Sequence, residues 1–362
     1  MYIVVYAICK NESKFVDRWM DSMSEADKVV VLDTGSDDDT AERLRERGAY
    51  VVTEKIQPWR FDTARNRSLE LVPEEADICV CTDLDEVFEK GWRENLENAW
   101  KPGATQAKYR YTWSFTKDGR EGVVFWIEKI HSRHGYKWIH PVHEVLKWVG
   151  EGMPGSFVTA EGVQLNHHPD HLKSRGQYLP LLELSVEEDP DDDRNMHYLG
   201  REYMYKSQWD NCIKTLKRHL TMPSATWKDE RAASMRYIAK SYMMKNDKAA
   251  ALSWYLQSII EAPYLREPYI DTALMLYDEK NWNGVLYFTD CALKITERPK
   301  TYICEEASWS GLPHDIRSIA LYNTGRPREA LSEAEKAASF YPGNERIKNN
   351  IEFFKSEIDK NS

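Results

Sequence analysis

The sequence predicts an α/β domain built on a mostly parallel sheet, followed by an all-helical repeat domain. Three observations predict it. Short apolar runs alternate with helical stretches over the first ninety residues. Polar clusters fall at the ends of those runs. From about residue 195 the strand signals stop and helical periodicity takes over. A chain of 362 residues also exceeds what one hydrophobic core normally organises, so two domains are expected.

The first run, "YIVVYAIC" (2–9), has strand length and is apolar throughout, as in a sheet covered on both faces. Residues 15–26 place Phe15, Trp19 and Met23 four apart, a helical stripe. Val29 to Leu32 form a second buried strand, and Asp33 to Ser36 a turn. Asp38 or Asp39 caps the helix "TAERLRERG", which stops at Gly48. "YVVTEKI" (50–56) is a third strand and "DICVCTDLDEVF" (77–88) a fourth. Strands alternating with helices give a parallel sheet, and such sheets bind ligands beyond the carboxyl ends of their strands. Lys10-Asn11-Glu12, Asp33-Thr34-Gly35-Ser36 and Asp83-Leu84-Asp85-Glu86 all sit at those ends, which suits a nucleotide.

Asp83 and Asp85 are two apart. If the strand continues, both carboxylates share one side and Leu84 points into the core. Clustered carboxylates repel unless a cation neutralises them, and a hard divalent ion with oxygen ligands does so. Such an ion keeps open positions for a diphosphate and stabilises it as a leaving group.

The formal net charge is −10, and residues 1–175 hold 24 Lys+Arg against 30 Asp+Glu, so a broad grip on nucleic acid is not expected. No apolar run approaches the roughly 18 residues of a membrane span. "MYIVVYAICKNE" lacks the basic start and cleavage site of a signal peptide. Six scattered cysteines without a CxxC pair suit reduced thiols, hence a cytoplasmic protein. Cys79 and Cys81 share a strand face and are expected in the core.

"KNE", "LDTGSDDDT", "FDTARNRSL" and "DLDE", in this order and spacing, resemble a family 2 glycosyltransferase of the GT-A fold over roughly residues 1–180. The resemblance implies a nucleotide-sugar donor, Mn2+ or Mg2+, and an inverting single displacement. It implies that Asp33 accepts from the nucleobase; a carboxylate suits the N3–H of uracil, so a UDP-sugar is expected. Asn11 and Glu12 would line the nucleoside pocket, and Arg65 and Asn66 would reach the diphosphate or sugar. Asp83 would meet ribose and sugar, and Asp85 the metal, with Asp83 a second metal carboxylate. Ala7, Lys10, Gly35, Ser36 and Leu84 complete the expected donor-binding set. No Q-x-x-R-W motif is present, which departs from the membrane-embedded polymer synthases and favours an enzyme adding one or a few sugars.

Two further constellations stand out. "WIHPVHEVL" (138–146) offers His143 and Glu144 in a segment rich in strand formers. Glu144 is the candidate general base, because inverting transfer needs a group to take the acceptor proton. His143 and Glu144 as a structural pair is the plainer reading, and Asp85 and Glu86 compete for the base role. "NHHPDH" (166–171) could bind a transition metal by itself. The family resemblance instead implies that His168 or His167 completes the metal shell. Trp59, Trp113, Trp126, Trp138 and Trp148 are mostly core, with one or two free to stack on a sugar ring.

Boundaries at 1–185 for the catalytic domain, 186–194 for the acidic linker "VEEDPDDDR" and 195–362 for the helical domain follow from the composition. In the last part, aromatic-rich helix, polar break and second helix recur. Breaks at Lys206, Lys245, Lys280 and Gly325 lie 39, 35 and 45 residues apart, near the 34-residue tetratricopeptide period. Such an array buttresses the catalytic domain, forms a homodimer, or presents a concave surface to a peptide or protein acceptor. The whole arrangement resembles bacterial enzymes that glycosylate peptides, the sublancin-type S-glycosyltransferases among them. Phage-borne enzymes acting on modified DNA bases share such folds, but the negative charge speaks against that acceptor. A nucleotidyltransferase would want a Gly-rich phosphate loop after the first strand, which "AICKNESKF" is not. A non-catalytic nucleotide-binding scaffold is the alternative outside enzymes.

Overall fold

A computed structural model of the chain describes residues 1–116, 119–170 and 176–360. The chain forms two compact units, Met1–Glu188 and Asp189–Ser362.

In the first unit, β1 (Ile3–Cys9) leads through a 3-10 turn into α1 (Val16–Ser22). Next come β2 (Lys28–Asp33), α2 (Thr40–Glu46), β3 (Tyr50–Thr53), α3 (Phe61–Glu70) and β4 (Ile78–Thr82). The chain continues through β5 (Glu86–Phe88), α4 (Trp92–Ala99), β6 (Ala104–Thr112), β7 (Val124–Ser132), β8 (Tyr136–Ile139), β9 (Val145–Trp148), β10 (Ser156–His167) and α5 (Tyr178–Glu188). Eight strands form one sheet in the order β3-β2-β1-β4-β7-β6-β10-β5, while β8 and β9 pair separately. The four strands at the β3 end run parallel; β7 is antiparallel to both its neighbours, and β5 is antiparallel to β10.

Both faces of β1 are covered. Ile3, Val5 and Ala7 join one apolar cluster with Trp19 and Leu84, whereas Val4 and Tyr6 join another with Cys79, Cys81 and Trp138. This is the physical reason its sequence is apolar at every position. Cys79 and Cys81 are packed as expected, and burial pushes their thiols up to about 12 and about 11. The β2–α2 turn is capped by Asp38, whose Oδ1 accepts the Thr40 amide at 3.0 Å; Asp39 makes no side-chain cap.

The expected fourth strand is two strands. β4 ends at Thr82, a turn closes with the Glu86 amide donating to Asp83 O at 3.0 Å, and β5 restarts in the other direction against β10. That pairing sets Glu86 opposite His167. β10 itself carries a bulge against β6: Ala160 faces Tyr109 and Gln164 faces Arg110.

The second unit comprises α6 (Asp193–Tyr205), α7 (Trp209–Thr221), α8 (Lys228–Met244), α9 (Lys248–Glu261), α10 (Arg266–Asp278), α11 (Trp282–Leu293), α12 (Leu312–Asn323), α13 (Pro327–Phe340) and α14 (Glu345–Lys360). Asp192 caps α6 by accepting the Asn195 amide at 2.6 Å. The four polar breaks close alike. Ser207, Asn246, Lys280 and Gly325 all have left-handed φ, between 57° and 77°. After each, the next amide reaches back five residues: Gln208 to Tyr203 O, Asp247 to Tyr242 O, Asn281 to Leu276 O, and Arg326 to Leu321 O, at 2.8–2.9 Å. This is the Schellman closure, and it turns each helix back on its successor. Asp247 and Asn281 then cap the following helix through their side chains.

Candidate active site

The polar loops gather at the carboxyl ends of β1, β2 and β4. Asn11 sits in the left-handed region (φ 54°), which asparagine tolerates. Its amide donates to Ser36 Oγ at 2.9 Å, and its Oδ1 accepts the Asp37 amide at 2.7 Å. Ser36 in turn donates its hydroxyl to Asp33 Oδ1 at 2.5 Å. Asp33 and Glu12 are buried, and the Glu12 amide donates to Thr40 Oγ1. Asn11, Asp33 and Ser36 thus knit two loops into one rim, and Asp33 fixes the turn a nucleobase would meet. Gly35 is needed there: its φ is 102°, and a Cβ would come within 3.1 Å of the Lys55 side chain. Lys10 is exposed at the rim.

Three residues expected at the donor are placed elsewhere. Ala7 and Leu84 are fully buried in the core behind the site, so their side chains face away from any ligand. Asn66 was expected at the diphosphate. Its side-chain amide instead donates to Trp138 O and accepts from Trp138 N, both at 2.8 Å, holding β8 to α3.

Asp83 and Asp85, expected on one extended strand, are separated by the turn and do different work. Arg65 donates to Asp83 at 2.9 Å, and Lys129 Nζ reaches Asp83 Oδ2 and Glu86 Oε1 at 3.0 Å each. Two protein cations therefore neutralise Asp83. Burial works against its charge, but Arg65 and Lys129 outweigh burial and hold its carboxyl well below the usual range. Expected as a second metal carboxylate, Asp83 here has both oxygens engaged by protein cations. Glu86 is buried, accepts from Tyr111 Oη at 2.8 Å and from the Asp83 amide, and burial raises its carboxyl. It is a structural anchor.

Asp85 faces His167. His167 Nε2 lies 3.4 Å from Asp85 Oδ2, and its Nδ1 is 2.9 Å from Trp113 O. A carbonyl only accepts, so Nδ1 carries the proton, and the unprotonated Nε2 of the neutral ring faces the carboxylate. Burial lowers the His167 ring, yet the hydrogen bond and charge of Asp85 raise it above its ordinary value. His168 stacks on Phe115 at 5.2 Å, and its amide donates to Asp85 O. The two histidines are thus placed differently: His167 faces Asp85, while His168 packs against Phe115. His171, the last histidine of that run, lies outside the described residues.

Glu144 and His143 sit in the loop between β8 and β9, not in a strand. His140 and His143 there adopt φ of 78° and 53°. His143 lies edge-on to Tyr178, at 5.8 Å. Glu144 is paired with Arg65 through Nε and Oε1. Arg65, buried, therefore bridges Glu144 to Asp83 and stacks over Trp138 at 5.3 Å. Trp138 is core, while Trp113 is 41% exposed beside His167.

Sequence reading missed Lys129, Tyr111 and Trp113 O. A lysine inside "FWIEKIHS" reads as a solvated strand position; only the sheet order, with β7 beside β4, brings it to Asp83. Replacing Lys129 with methionine is expected to cost about 2 kcal/mol, because Glu86 loses its buried cation while Asp83 keeps Arg65 and some solvent. The urea midpoint checks this.

Residues 4–143 match the family described as Glycosyl transferase family 2. The first unit carries a family 2 glycosyltransferase domain on a mostly parallel GT-A-like sheet, and the protein is a glycosyltransferase. No curated protein matches the chain. Solved structures similar to parts of it include the MamA protein, at 15% identity over 44% of this chain and 79% of that one, TM-score 0.35. PilF of Pseudomonas aeruginosa shares 12% over 49% and 72%, TM-score 0.38. A thermophilic TPR protein of Thermus thermophilus shares 15% over 49% and 88%, TM-score 0.36. The repeat character of the helical unit rests on its own paired helices and their common turn. Among the described residues no helix is long and apolar enough to cross a membrane.

Proposed function

We propose that the enzyme moves a sugar from a UDP-sugar to a peptide or protein acceptor, with inversion, using Mn2+ or Mg2+ at Asp85 and His167. The observation that carries this reading is the Asp85–His167 pair at the strand ends. A carboxylate oxygen and an imidazole nitrogen oriented by a backbone carbonyl fit a divalent cation. Such an ion, when bound, supplies positive charge against the donor diphosphate.

The chain's own residues supply the rest. The Asn11–Ser36–Asp33 rim shapes the nucleoside end. Trp113 offers an exposed ring face to a sugar. Arg65 holds Glu144 by Oε1, leaving Oε2 to take the acceptor proton. His140 and His143, in the loop that carries Glu144, are left-handed at a cost of about 1–2 kcal/mol each, the kind of local strain that working loops retain. A peptide acceptor is favoured over nucleic acid because the chain is acidic and carries a helical repeat array.

The experiment is hydrolysis and transfer of UDP-sugars with Mn2+ and then with excess chelator. Chelator-sensitive turnover is expected; turnover indifferent to chelator on every donor tested would remove the metal from the reading. Glu144→Gln is expected to lower transfer about 10²-fold with donor affinity unchanged, measured as kcat against donor Kd.

A further inference from the structure

A second cluster of ligand-type side chains lies inside the helical unit. His197 of α6, His219 of α7 and Glu230 of α8 are all buried, and one donor atom of each lies within 4.8 Å of the other two. His219 Nε2 and Glu230 Oε1 are 3.4 Å apart. Two ligands each about 2.0–2.1 Å from a tetrahedral zinc ion are separated by about 3.3–3.4 Å.

The hydrogen bonds around the cluster orient it for a cation. Ser234 Oγ, on α8, lies 2.8 Å from His197 Nδ1 and 3.0 Å from His219 Nδ1. One hydroxyl has one proton, so at least one ring must donate its Nδ1–H to Ser234 and, when neutral, turn an unprotonated Nε2 toward the cluster. When both rings donate, two bare nitrogens and a carboxylate converge, and only a cation reconciles them. The alternative tautomer would give His219 an Nε2–H. Yet that buried nitrogen has no aligned hydrogen-bond acceptor among the described residues, although Glu230 is 3.4 Å away. Close but unaligned donor atoms are what ligands of a shared ion present. Tyr302 donates its hydroxyl to Glu230 Oε2, fixing the carboxylate from behind as outer partners of metal ligands do.

We infer that His197, His219 and Glu230 form a binding site for a zinc-class divalent ion. Two imidazoles and one carboxylate suit zinc, and the three residues come from three successive helices. The site is enclosed, so the ion would act as a cross-link of α6, α7 and α8 and leave the sugar chemistry to the other unit. No short spacing motif announces the site, because its ligands are spread over three helices.

The test uses the full chain carrying Asp85→Ala, so that the catalytic carboxylate does not compete for metal. The chain is stripped with chelator, then titrated with Co2+ and Zn2+. Intense visible bands of four-coordinate cobalt at one equivalent are expected, displaced by zinc. Zinc at one hundred times its Kd should raise the helical melting transition by about 5 °C. His219→Gln should abolish both responses. The titration of the unsubstituted cluster stands even if that variant folds poorly. No cobalt bands and no zinc-induced shift would overturn the inference, and so would bands that survive His219→Gln in a folded chain. Neither outcome touches the assignment of Asp85.

Discussion

Asp85→Ala is expected to lower sugar transfer about 10³-fold and to abolish its dependence on Mn2+. The metal's charge on a leaving diphosphate is worth several kcal/mol, and about 4 kcal/mol corresponds to three powers of ten. Asp85 is the carboxylate at this edge that His167 faces, whereas Asp83 is already satisfied by Arg65 and Lys129. His167→Ala should weaken metal binding in parallel, while Asp83→Asn should act on folding as much as on rate. The check is initial rate against Mn2+ concentration for each variant. An Asp85→Ala enzyme that kept a saturable manganese response would move the metal elsewhere.

Arg236→Ala is expected to destabilise the helical unit by about 3–5 kcal/mol. Arg236 on α8 is 1% exposed; it donates to Asp271 Oδ2 at 2.7 Å and to Glu305 Oε1 at 2.8 Å. Removing it leaves the buried Asp271 to Lys240, at 3.4 Å. Burial alone would raise the Asp271 carboxyl, but Arg236 and then Lys240 hold it below its ordinary value. A carboxyl lowered in the folded state contributes stability above its unfolded pKa of about 4 and loses it as pH falls through the folded value. The penalty of Arg236→Ala should therefore be full at pH 7 and shrink in acid. The double variant Arg236→Met with Asp271→Leu should recover much of it, because the buried Asp271 carboxylate leaves with its partner. Urea unfolding at pH 7 and pH 3 separates these outcomes.

How much of this was legible follows from how local each signal is. β1, β2 and β4 were readable because buried parallel strands are nearly uniformly apolar and end in polar turns, and the edge strand β3 kept two valines at its centre. β3 is shorter than its apolar run suggests, since tertiary pairing stops at Thr53. The later strands, β6 to β10, left little trace: "ATQAKYRYT" alternates with a mixed polarity that a loop also shows. Asp85 drew attention in the sequence through its position after a strand. His167 and His168 read alike there, and only the β5–β10 pairing sets His167 beside Asp85. Asn66 misled because an asparagine that holds a strand's backbone to a helix has the same letters around it as one that holds a sugar. The helical turns were visible as polar breaks. Their left-handed residues were not, because Ser207 and Lys280 are types that seldom adopt that geometry.

The bulge in β10 has a consequence for engineering. Between the Ala160 and Gln164 pairings β10 advances four residues while β6 advances one. The excess of three is odd, and successive side chains alternate across a sheet. Phase, then, is what that irregularity stores: shortening it by a single amino acid would send the imidazole of His167 to the opposite side, away from Asp85, whereas trimming two would spare it.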